Sequence, residues 1–102
     1  MELKEHLRML DGALEIPSEH ELDLATIAFQ GYIDCAKKYG EYDYLCEETT
    51  LFFIAVDPAD PVLVAALRAM IGHILTECPA ADLQLRKFAG DIEPALVPLV
   101  FP

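Results

Sequence analysis

A chain of 102 residues holds about one domain and is too short for two independent cores. An apolar fraction of 54% with 25% of residues charged excludes disorder, and the longest apolar runs, LFFIAV and PVLVAAL, fall far short of the roughly 20 residues that a spanning helix needs. A net charge of −11 with only seven scattered Lys and Arg argues against direct nucleic-acid binding, because neutralising phosphates requires clustered bases.

The elements can be taken in chain order. Acids and bases interrupt the apolar residues of MELKEHLRMLDG and no small-residue cleavage site follows, so this stretch does not read as a secretory signal, and a cytoplasmic location is expected. Leu3, Leu7, Leu10 and Leu14 recur at helical steps and predict one amphipathic helix ending before Pro17. Ser18 stands three residues before Glu21, the spacing of a capping box, and starts a second helix. That helix carries Leu22, Ala25, Phe29, Tyr32 or Ile33, and Ala36 on one side, and Gly40 is placed to end it in a left-handed cap.

The third segment contains TTLFFIAV, residues 49 to 56, whose β-branched and aromatic residues suit a strand. Helix is favoured: Asp43 can cap it, Glu47 and Glu48 suit an early turn, Leu45, Phe52 and Val56 keep helical spacing, and a lone strand has no partner for its backbone groups. Asp60-Pro61 starts a fourth helix, with an N-cap side chain followed by proline where its missing N–H is harmless. Leu63, Leu67, Met70, Ile71, Ile74 and Leu75 make a broad stripe that needs neighbours on more than one side, and Pro79 stops the helix. AADLQLRKFAG reads as a shorter fifth helix with Gly90 past its end. Three prolines in the last nine residues argue against a regular helix or central strand in the tail, whose other residues are nearly all apolar. The expectation is a single all-α domain over residues 1–102: a compact bundle of four to five helices with an extended Pro-rich apolar C-terminal tail from residue 91, packed on the bundle or on a partner.

Charge is uneven along the chain. Residues 1 to 60 hold 14 acids and 4 bases, net −10, and residues 61 to 102 hold 4 acids and 3 bases, net −1. One acidic cluster, Glu15, Glu19, Glu21 and Asp23, lies at the first predicted turn, and a second, Glu41, Asp43, Glu47 and Glu48, lies between the second and third helices. Favourable placement near helix N-termini explains part of this. It does not explain Tyr39, Tyr42 and Tyr44 beside the second cluster. Tyrosine gives an interface core large area for little rotamer entropy, and carboxylates around it select a basic partner. Tyr39, Glu41, Tyr42, Asp43, Tyr44, Glu47 and Glu48 are therefore the candidate partner-binding residues, weighed against rings that simply pack beneath the loop.

Chemistry is harder to place. Cys35, Cys46 and Cys78 are too far apart for a C-x-x-C site and read as reduced thiols, with Cys35 and Cys78 buried in helical patterns and Cys46 less certainly so among acids that disfavour the thiolate. His73 and Glu77 are spaced i, i+4, but two ligands do not make a metal site. No Gly-rich phosphate loop or nucleophile elbow occurs, so no catalytic residue, cofactor or metal is assigned, and no enzyme activity is expected. In size, charge and helical content the chain resembles small acidic immunity proteins that neutralise bacterial toxins, and acidic phage inhibitors of nucleic-acid enzymes. The resemblance is one of profile, rests on no motif and transfers no residue. It implies an inhibitor that occludes a basic site on a protein partner. The alternative is a dimeric chaperone or adaptor that holds a partner helix through the fourth helix and the tail. Excess apolar surface also suggests a homodimer.

Overall fold

Ser18 and Asp60 set the two longest helices of the computed structural model, which describes residues 2–101. The Ser18 hydroxyl accepts the Glu21 N–H at 3.2 Å and opens a helix over Glu19–Tyr39. The Asp60 carboxylate accepts from Val62 and Leu63 at 3.0 and 3.1 Å ahead of Pro61–Glu77. In chain order the α-helices are α1 (Leu3–Met9), α2 (Asp11–Leu14), α3 (Glu19–Tyr39), α4 (Asp43–Ala55), α5 (Pro61–Glu77), α6 (Asp82–Ile92) and α7 (Val97–Val100), and no strand occurs among the described residues. None of these helices is by itself long and apolar enough to cross a membrane.

The first predicted helix is in fact two. At Leu10 the backbone tightens, its N–H reaching back only to Leu7 at 3.1 Å, and Gly12 weakens the turn that follows. The leucine spacing carries through this bend, and Leu3, Leu7 and Leu10 are all buried. The favoured helix over the third segment is present: α4 runs through Thr49 and Thr50 to Ala55. There the buried Thr49 hydroxyl donates to the Leu45 carbonyl at 2.6 Å, satisfying inside the helix a group that would otherwise be stranded. Asp43 does not cap it. Tyr42 holds the cap position without a side-chain bond, and the Asp43 carboxylate instead accepts from Gln84 of α6. Gly90 does not end the fifth predicted helix either; α6 continues to Ile92 and stops before Pro94.

Helix α5 is the centre of the fold. Its Ala66, Leu67, Met70, Ile71 and Ile74 are buried, with α1, α3 and α7 against it, which accounts for the breadth of its apolar stripe. The largest correction concerns the tail. It is not extended: Pro94–Leu96 forms a 3-10 turn that leads into α7. Pro94 and Pro98 each sit in the first turn of their element, where the absent N–H breaks no bond. Leu96, Val100 and Phe101 are buried in the chain's own core, and the Phe101 ring stacks on Phe53 at 6.1 Å with the Arg86 guanidinium 4.9 Å from its centroid.

Candidate functional site

Gly40, at φ 68°, ends α3 and turns the chain through Glu41 and Tyr42 into α4. This tight reversal brings the last residue of α3 close to the first turn of α4. Tyr39 is 63% exposed with the Lys38 ammonium 5.3 Å from its ring, and Tyr44 is 68% exposed. Glu41, Asp43 and Glu47 are exposed and Glu48 is half-buried.

The seven sequence candidates do not share one hollow. Tyr42 is half-buried against the core, lining with Asp43 a hollow of about 540 Å3 beside Leu83, Lys87 and Phe88. Tyr44 and Glu41 belong to another hollow of about 420 Å3, over Ile27, Gly31 and Cys35 of α3. Residues two apart at a helix start point to different sides, which is why Tyr42 and Tyr44 part company. Glu48 lies one turn further along α4 and lines, with Leu51, a third hollow of about 250 Å3. Ala28 and Tyr32 line both this hollow and that of Tyr44, so a trough runs along the α3/α4 seam.

The two acidic clusters differ in what surrounds them. In the first, Arg8 holds both carboxylate oxygens of Glu19 at 2.9 Å, and Lys4 reaches Glu19 and Asp23 at 2.8 and 2.6 Å. The hydrogen bonds from Arg8, then those from Lys4, lower the Glu19 carboxyl to about 2; Glu19 in turn raises Arg8, and Asp23 first, then Glu19, raise Lys4. Glu19 and Asp23 of this cluster thus form an internal clamp between α1 and α3, and Glu15 and Glu21 take no part in it. In the second cluster none of Glu41, Asp43, Glu47 and Glu48 forms an ion pair among the described residues. Asp43 is engaged by Gln84, and the exposed Glu41 and Glu47 face the solvent.

Cys78 is buried as expected, whereas Cys35 is not. Cys46 and Cys78 are buried, and Cys35 is exposed because it lies off the face carrying Phe29, Ile33 and Ala36. Burial first, and the Asp43 charge next, push the Cys46 thiol up to about 11; burial raises Cys78 as well. His73 Nε2 meets Glu77 at 3.1 Å, and the His6 ring lies edge-on to His73 with centroids 5.2 Å apart. Among the described residues no group of three or more His, Cys, Asp or Glu is placed to hold a metal ion.

A surface with no assigned role in the sequence pattern is the outer face of α3, where Leu24 is 48% and Ile27 70% exposed. The signal was available, since both residues stand off the buried stripe. The sequence matches no protein-family model and no curated protein, and no solved structure matches.

Proposed function

We propose that this chain is a small acidic protein-binding protein, an inhibitor of the immunity type that covers a basic site on a toxin or a nucleic-acid enzyme. The observation that carries this reading is the coincidence, at the α3/α4 turn, of two exposed tyrosine rings with carboxylates that form no ion pair among the described residues. Such rings serve as interface anchors, and carboxylates around them can imitate the phosphates that a basic site normally holds. A field of this sign raises the rate of encounter with a basic partner by roughly 10 to 10³ over a neutral surface. Tyr39, Tyr44, Glu41 and Glu47 form the contact in this reading. Tyr42 supports them from beneath, since it is partly set in the core.

The alternative, a dimeric chaperone or adaptor, would have to use a surface other than the tail or the buried stripe of α5, because both are engaged inside the chain. The test replaces Tyr44 with a photo-crosslinking amino acid in the native host, with Val62, an equally exposed position on α5, as control. Crosslinking from 44 to a basic protein, weakened by added salt, is the expected result. Crosslinking from 62 alone, or to an acidic protein from 44, contradicts the proposal.

A further inference from the structure

Residues 21, 24, 28, 31, 35 and 38 of α3 follow steps of three and four along a single line, and all six are exposed. They read Glu21, Leu24, Ala28, Gly31, Cys35, Lys38: an uncharged centre with an acid at one end and a base at the other. Ile27 flanks the line on one side and Tyr44 on the other. Repetition at 3.5-residue spacing is the seam of a helix that pairs along its length with another. Here the chain itself provides no second helix, since the core-facing side of α3 is the opposite one.

We propose that this seam is a homodimer interface, in which α3 packs antiparallel on α3 of a second copy about a two-fold axis between residues 28 and 31. The charges select this occupant and this direction. In the antiparallel register Glu21 faces Lys38 of the second copy twice over, Leu24 faces Cys35, and Ala28 faces Gly31. A parallel pairing would place Glu21 against Glu21 and Lys38 against Lys38. Neither Glu21 nor Lys38 forms an ion pair within the chain among the described residues.

Two further features fit a second copy. A side chain built at Gly31 would meet nothing within 4 Å, as at the chain's other glycines, so the surface there is open and leaves room for two helix backbones to cross closely at 28 and 31. From residue 21 to 38 the seam runs about 26 Å at 1.5 Å per residue, most of the longest dimension of the molecule, 32 Å. The net charge of −11 on each copy opposes association. At physiological salt, with screening over about 8 Å, acids away from the seam count little.

This proposal is independent of the partner reading and is tested on the chain alone, by sedimentation equilibrium at 0.15 M salt. The wild type should be a dimer at high micromolar concentration. Glu21→Lys and Lys38→Glu should each weaken association by about tenfold or more, because in a two-fold interface each substitution turns two attractive pairs into two repulsive ones. The double variant should restore association to within about threefold of the wild type, as only facing charges can. Gly31→Gln should abolish the dimer while leaving the monomer at least as stable, since it replaces a helical glycine with a better helix former in open space. A wild type that stays monomeric, a double variant that is not rescued, or an undisturbed dimer in Gly31→Gln overturns the proposal.

Discussion

At the scale of single residues, Glu19 and the cysteines give the sharpest expectations. Glu19 has its folded carboxyl at about 2, below its ordinary 4.5, so the clamp with Arg8 and Lys4 stabilises the fold above pH 4.5 and is lost as the pH falls towards about 2. Wild type should therefore melt above Glu19→Gln at pH 7, and the two melting temperatures should converge near pH 2; a gap that persists in acid would mean that the clamp is not the cause. Of the three thiols, Cys35 should react with a disulfide reagent within seconds to minutes in the native, dilute protein. Cys46 and Cys78 should react only after denaturation, because both are buried and their thiolates are disfavoured. Mass mapping of the first adduct checks this, and labelling of Cys46 before Cys35 would contradict the burial described.

At the scale of elements, the folded tail carries the main stability prediction. Leu96 is fully buried under α6 and α7, so Leu96→Ala should cost about 2–5 kcal/mol in a urea unfolding series, a large share of the roughly 5–15 kcal/mol typical of one domain. A loss of under about 0.5 kcal/mol would mean that the tail does not belong to the core. Helix starts were the most legible part of the sequence. Ser18 with Glu21, and Asp60 with Pro61, are decided within three residues by backbone N–H groups that need an acceptor, and both hold. Gly40 is legible for the same local reason. The tail was not, because its conformation depends on Phe101 finding Phe53, almost fifty positions away, and proline content alone suggests extension. The burial of Cys46 and the exposure of Cys35 depend likewise on which side of a helix meets its neighbours. The seven candidate residues were recognisable as a cluster, but only the fold separates Tyr42 from Tyr44.

At the scale of the whole molecule, Glu19 and Asp23 are held by the chain's own bases, whereas none of the four acids at the α3/α4 turn forms an ion pair among the described residues and two exposed rings stand beside them. Tyr44 and Glu41 also line the hollow over Gly31 and Cys35. A partner seated on Tyr44 and a second copy seated on α3 should therefore compete, and the apparent affinity for the partner should fall as the protein concentration rises into the range where dimers form. The partner, once crosslinked and purified, allows rings and charges to be separated by binding kinetics on a partner-coated surface at low protein concentration. Tyr39→Ala with Tyr44→Ala should speed dissociation by roughly 30-fold or more, the equivalent of about 2 kcal/mol. Glu47→Gln with Glu48→Gln should slow association and flatten its salt dependence while leaving dissociation nearly unchanged. Binding that stays within twofold of wild type in both double variants would contradict a partner site at the α3/α4 turn.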